Sequence, residues 1–129
     1  MDKDQIIKDF KDLLGTGSII LVGRVEWGDS IMVMDRMGRA FCKTYWFNDD
    51  ETTIYLTELV VVEEYRNRGI ASRLLTTHLR VAETHKLKSQ LCVKEDTWMK
   101  AWYKRKGYKY IAKHQTEEDY IWMEVDFKQ

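Results

Sequence analysis

The sequence predicts an α/β (α+β) fold: a mixed, mostly antiparallel sheet flanked by helices. Three observations carry that prediction. Four strand-like runs follow one another between Ser18 and Val62; the fourth feeds a helix-like run that leads to a fifth strand; and a second helix-like run precedes two closing strands. Consecutive strands joined by short turns pair antiparallel, whereas strand, helix, strand implies a right-handed crossover between parallel neighbours.

The elements follow in chain order. Asp2 to Leu14 places Ile6, Ile7, Phe10, Leu13 and Leu14 at helical spacing, and "GTG" (Gly15 to Gly17) ends that helix. Strands are expected over Ser18 to Trp27, Ser30 to Asp35 and Arg39 to Phe47, separated by "WGDS" and "RMG"; "NDDE" (Asn48 to Glu51) then turns the chain into Thr53 to Val62. The chain has no proline, so Gly, Asn and Asp must make the turns. From Gly69, a helical stripe of Ile70, Leu74, Leu75, Leu79 and Ala82 runs to about His85, and "SQLCV" (Ser89 to Val93) is short, apolar and strand-like. A last helix fits Asp96 to Lys106, with Asp96 or Thr97 as N-cap, three cations in its final turn and Gly107 as its stop. Strands near Tyr108 to Lys113 and Tyr120 to Phe127 close the chain.

The 129 residues, 44% of them hydrophobic, are enough for one core, so residues 1–129 are read as a single domain burying roughly two thirds of its unfolded surface. Twenty-one Lys and Arg balance 21 Asp and Glu, which removes the global electrostatic argument for a nucleic-acid or membrane partner. Cys42 and Cys92 stand far apart in no CxxC pattern, so free thiols and a reducing cytoplasm are expected. The start, "MDKDQIIKDF", lacks the basic-then-apolar order of a signal peptide, and no apolar run approaches the ~18 residues of a membrane span. A soluble cytoplasmic protein is the expectation, and a homodimer is compatible with it.

The chemistry starts where the fourth strand meets the first crossover helix, at "YRNRGIASRLL" (Tyr65 to Leu75). A chain passing from a strand straight into a helix leaves the main-chain N–H groups of Arg68 to Ser72 unpaired and pointing along the helix axis. Such donors attract an anion. Gly69 allows close approach of a ligand to the backbone, Ala71 is too small to block it, and the helix dipole adds positive potential. Arg66, Arg68 and Arg73 bring mobile charge. A lone R-x-x-G-x-A also occurs in ordinary solvated turns, so its weight depends on context.

The run "LVVVEEYRNRGIASRLL" resembles the coenzyme A-binding segment of the GNAT superfamily of acyl-CoA N-acyltransferases, whose signature is Q/R-x-x-G-x-G/A after an apolar strand; Arg66, Gly69 and Ala71 fill its positions. The wider stretch from Ile54 looks like the diamine acetyltransferase branch. Glu63 stands where many members carry proline. "WYKRKGY" (Trp102 to Tyr108) resembles the family's second landmark, an aromatic-Tyr-x-x-x-Gly-aromatic sequence on the helix after the fifth strand. The resemblance covers roughly Ile54 to Phe127 and implies a GNAT-like mixed sheet, acetyl-CoA as co-substrate, no metal, and direct transfer of an acetyl group to a primary amine in a ternary complex.

It also implies roles. Leu59, Val60 and Val61 would line the pantetheine arm from a splayed strand, and a bulge there would supply spare donors. Arg66, Asn67, Arg68, Gly69, Ile70, Ala71 and Ser72 would hold the diphosphate. Tyr103 would be the acid that protonates the departing thiolate, and Asp96, where the family commonly has Asn, would be a coenzyme A contact. Tyr120 stands where the diamine branch carries an aromatic near its substrate. The family usually places a strand and two helices in the acceptor wall, whereas one short helix precedes the strands here.

Glu58 is the candidate base or water organiser. Strict alternation puts it in phase with Ile54, Leu56, Val60 and Val62, an apolar face where a carboxylate is costly unless paired or functional, and partial burial would bring it toward the basicity a proton acceptor needs. Alternatively the strand twists or bulges so that Glu58 meets water or a lysine. Asp49, Asp50, Glu51, Glu117, Glu118 and Asp119 would draw a cationic acceptor such as a polyamine, aminoglycoside, amino acid or protein lysine. His78 and His85, seven apart on one helix, are read as solvated or capping side chains rather than a metal pair, and Cys92, where some members carry a catalytic glutamate, as a buried thiol. Two rivals share the loop: a non-catalytic GNAT-fold protein that binds coenzyme A or regulates through it, and a toxin-like acetyltransferase that acts on aminoacyl-tRNA or protein through Lys104, Arg105, Lys106, Lys109 and Lys113.

Overall fold

A computed structural model describes residues 1–128. Helix α1 (Lys3–Leu14) starts at Asp2, whose carboxylate accepts from the Gln5 amide at 3.1 Å, and buries Ile6, Ile7, Phe10 and Leu14. Leu13, expected on the buried stripe, is exposed, because its neighbours at i+1 and i−3 already fill the contact face. A 3₁₀ turn over "GTG" leads into four strands, β1 (Ser18–Val25), β2 (Gly28–Asp35), β3 (Ala40–Phe47) and β4 (Thr53–Val61), each antiparallel to the next. Helix α2 (Ile70–Thr84) crosses to β5 (Lys88–Lys94), parallel to β4; α3 (Trp98–Arg105), β6 (Lys109–Lys113) and β7 (Tyr120–Asp126) follow. The seven strands form one sheet in the order β1-β2-β3-β4-β5-β7-β6, the predicted mixed and mostly antiparallel α/β arrangement.

One sheet face is apolar and carries Ile31, Val33, Cys42, Trp46, Ile54, Leu56, Leu91, Val93, Ile121 and Met123, all buried; α1 packs on α2, and α2 and α3 pack on the central strands. A buried polar chain crosses this core. Thr44 Oγ1 (β3) lies 2.7 Å from His78 Nδ1 (α2), His78 Nε2 lies 2.6 Å from Ser89 Oγ (β5), and Ser89 Oγ lies 2.7 Å from the Tyr108 hydroxyl just past α3. The polar side-chain atoms of Thr44, His78, Ser89 and Tyr108 thus partner one another, which offsets their desolvation. His78 is therefore fully buried rather than solvated, and burial pushes its pKa down to about 3. His85 caps the end of α2 and reaches Asp9 at 2.6 Å.

The opposite face is aromatic. Tyr45 and Tyr55 stack with centroids 4.9 Å apart, Phe47 meets both edge-on, Trp27 packs on Phe47, and Trp122 meets Tyr55 edge-on at 6.4 Å.

Candidate active site

Two irregularities in β4 make the site. The first is a bulge: Lys43 pairs with Thr57 and Phe41 with Val60, so Cys42 alone faces both Glu58 and Leu59. Glu58 takes the left-handed conformation, φ 53°, which costs an L-residue about 1–2 kcal/mol and re-aims its side chain. Strict alternation therefore fails at this point. Leu59 and Val61 turn to the core, Val60 and Val62 are exposed, and Glu58 lies in solvent rather than on the apolar face; the desolvation expected from its phase is absent because one extra residue reverses the phase.

The second irregularity is a splay. Pairing of β4 with β5 ends at Leu56 opposite Leu91; beyond it β4 continues along β3 while β5 continues along β7 to Lys94 opposite Tyr120. From Thr57 to Val60 the β5-facing edge of β4 has no strand partner, so the main-chain groups on that edge are available to a ligand arm.

Past β4 the chain makes a 3₁₀ turn (Glu63–Tyr65), then Asn67 and Gly69 both take left-handed φ, 65° and 77°, before α2 begins at Ile70. The first main-chain bond of the helix runs from the Arg73 amide to the Gly69 carbonyl; the amides of Asn67 to Ser72 donate to no protein acceptor among the described residues. A Cβ placed on Gly69 would meet no protein atom within 4 Å, so glycine is required by its φ, and the space above it is open to a ligand. Successive unpaired donors around left-handed residues at a helix start make a cradle suited to an anion. Arg66 braces the loop through Nε to the Val61 carbonyl at 3.1 Å. The Arg68 and Arg39 guanidiniums lie over the Tyr65 ring at 5.3 and 5.9 Å, and Arg39 is itself locked to Asp35 at 2.7 and 2.9 Å, holding that carboxyl down to about 2.

A groove of about 920 Å³ runs from this cradle along the free edge of β4. It is lined by Leu59, Val60, Val61, Arg66, Asn67, Gly69, Ile70, Ala71, Ser72 and Tyr103, which places these candidate residues around one space. Arg68 stays on Tyr65 and does not line it. Asp96 is exposed and outside the lining as well: α3 begins at Trp98 with Thr97 at the N-cap position, its hydroxyl bonded to the Lys94 carbonyl, so it is Trp98, Met99, Trp102 and Arg105 that face the groove. Their spacing along one helix face carried that signal. In the basic cluster, Arg105 joins the groove and Lys106 lies over Trp102 at 5.5 Å.

A second cavity, about 220 Å³, passes through the splay to the aromatic face. Its walls include Glu58, Tyr45, Tyr55, Trp122 and Cys92, and it shares Leu59, Met99 and Tyr103 with the groove. Cys92, expected to be buried, is exposed here because β5 has lost its β4 neighbour; partial burial and the Glu117 carboxylate raise its pKa. Tyr120 lies at the start of β7, on the same sheet face as Trp122 but outside both linings. Tyr103 stands where the cavities meet, buried, its phenol pushed up to about 12 first by burial and then by the neighbouring Cys42 thiol.

Several solved structures share this architecture. A GNAT family acetyltransferase from Elizabethkingia anophelis, solved with acetyl-CoA bound, superposes with TM-score 0.62 at 13% identity, over 86% of this chain and 99% of that one. An acyl-CoA N-acyltransferase from Pseudomonas aeruginosa gives TM-score 0.62 at 22% identity, over 75% and 68%. The ribosomal-protein-S18-alanine N-acetyltransferase of Escherichia coli gives 0.61 at 17%, over 95% and 77%. At these identities the likeness speaks for the fold. No curated protein matches the sequence. The sequence itself matches the profile of the acetyltransferase (GNAT) domain across residues 31–125, from β2 through β7. This chain belongs to the GNAT acetyltransferase family.

Proposed function

We propose that the protein is an acetyl-CoA-dependent N-acetyltransferase that passes an acetyl group directly to a primary amine in a ternary complex. The observation that supports this best is the position of Tyr103, which with Leu59 and Met99 lines both the groove with unpaired amides and the cavity that holds the Glu58 carboxyl. Two substrates entering from opposite sides of the sheet meet there, which is what direct transfer needs.

The donor side fits acetyl-CoA by its donors: the amides of Asn67 to Ser72 for the diphosphate, the unpartnered edge of β4 for the pantetheine amides, and Leu59 with Met99 around the thioester end. On the acceptor side, Glu58 takes the proton of the amine, directly or through water, as nitrogen bonds to the thioester carbon. As the carbon–sulfur bond breaks, Tyr103 donates its hydroxyl to the leaving sulfur. After transfer the Tyr103 phenolate regains a proton from water and Glu58 gives its proton up to water, which closes the cycle; with its pKa pushed up to about 12, Tyr103 is protonated again across the neutral range.

A thiol-release assay with acetyl-CoA across polyamines, aminoglycosides, amino acids and peptides tests the reading. Amine-dependent release supports it. Silence across the panel with acetyl-CoA still bound would favour the non-catalytic alternative.

A further inference from the structure

The cavity between Glu58 and Trp122 has a composition of its own. Tyr45, Tyr55 and Trp122 supply aromatic walls, Leu56, Leu91 and Met99 an apolar floor, and Glu58 is the acidic side chain in the lining. We infer that this cavity is an acceptor subsite for a small primary amine carried on a short aromatic or alkyl body, its ring or chain held by Tyr55 and Trp122 and its nitrogen by Glu58. The inference rests on the transferase reading for its chemistry, and on the cavity alone for its ligand.

Size is the first argument. About 220 Å³ lies below the roughly 300–1,000 Å³ of pockets for drug-sized ligands, so a whole aminoglycoside does not fit. Lining is the second. The hydroxyls of an aminoglycoside would find few partners among these walls, and a polyamine's second ammonium would lie against Leu56, Leu91 and Met99 with no second carboxylate in the lining. One ammonium, in contrast, is served both by Glu58 and by aromatic faces. Charge at the rim is the third. Burial first, and then the nearby carboxylates Asp50, Asp49 and Glu124, raise the Tyr55 phenol, and burial followed by Glu117 raises the Cys92 thiol, so four carboxylates stand near this end of the cavity, with Lys88 beside Asp50. Lys43, opposite Thr57, is a cation on this sheet face but does not line the cavity.

The test is calorimetric titration of the protein saturated with coenzyme A. Phenethylamine is expected to bind at least tenfold more tightly than spermidine or kanamycin. Trp122→Ala and Tyr55→Ala should each weaken phenethylamine at least tenfold while leaving acetyl-CoA affinity unchanged, and Trp122→Phe should restore most of the loss. Because Trp122 packs on His114 and Tyr55, Cys92→Phe serves as a second variant that fills the cavity from an exposed position; it should abolish amine binding and spare acetyl-CoA. Absence of phenethylamine uptake, equal or tighter binding of spermidine or kanamycin, or uptake indifferent to Cys92→Phe would overturn the assignment. Amine binding without thiol release would strike the transfer reading alone.

Discussion

The rings of Tyr103 and Tyr108 meet edge to face, centroids 5.6 Å apart and planes at 74°. Tyr108 is anchored in turn to Ser89 and, through it, to His78, so the backing of Tyr103 is fixed by α2 and β5 as well as by its own helix. Tyr103→Phe keeps that ring and removes only the hydroxyl. Turnover should fall about a hundredfold or more, the range of a lost general acid, with acetyl-CoA affinity and Tm unchanged. Equal losses of affinity and Tm would make Tyr103 a packing residue.

Glu58 separates chemistry from strain. Glu58→Gln should depress turnover while leaving coenzyme A affinity intact. Glu58→Gly should lose turnover too, yet gain stability or hold it, since glycine takes φ 53° at no steric cost while the extra freedom of its unfolded chain offsets part of the gain. Chemical denaturation of both variants reads the second effect; a clear destabilisation by glycine would mean that the bulge is held by contacts of the Glu58 side chain rather than opposed by its backbone.

His78 ties stability to pH. Its folded pKa, about 3, lies below the unfolded value of 6.5, so between them the unfolded chain binds the extra proton. Stability is therefore full above about pH 6.5 and declines as pH falls toward 3, with a slope from this group of up to about 1.4 kcal/mol per pH unit. Urea midpoints measured from pH 7 to pH 4 should show the decline, and His78→Gln, though less stable at pH 7, should flatten it. Parallel pH curves for the two proteins would be the contrary result.

Gly28 begins β2 opposite Phe47, and a Cβ there would stand 2.0 Å from the Trp46 carbonyl oxygen. A backbone atom cannot rotate away. Gly28→Ala should cost about 1–3 kcal/mol, more if the strand pair cannot part, read as a fall in the denaturation midpoint. An unchanged midpoint would mean the β2–β3 pair yields freely at this end.

Strand and helix order was legible because each element carries its own period: Ile6, Ile7 and Phe10 read as a helix face, and Ile31 and Val33 as one side of a strand. The anion loop was legible for the same reason, since Arg66 to Ser72 are contiguous and their unpaired amides follow from the strand-to-helix join alone. Glu58 was misplaced because a bulge depends on pairing with β3, which the period of β4 does not encode. Asp96 gave way to Trp98 and Trp102 through a two-residue shift in the start of α3, where Thr97 bonded back to Lys94 instead of capping the helix. The acceptor cavity draws Tyr45, Tyr55 and Trp122 from three strands, and only the register of the sheet brings them together.

The account turns on the free amides at the start of α2. Amide proton–nitrogen NMR of the protein titrated with acetyl-CoA tests them most directly: the resonances of Asn67 to Ser72 should move downfield to saturation at one equivalent, as hydrogen bonds to phosphate oxygens form. Acetyl-CoA binding that leaves those resonances in place, or no binding by the folded chain, would contradict it.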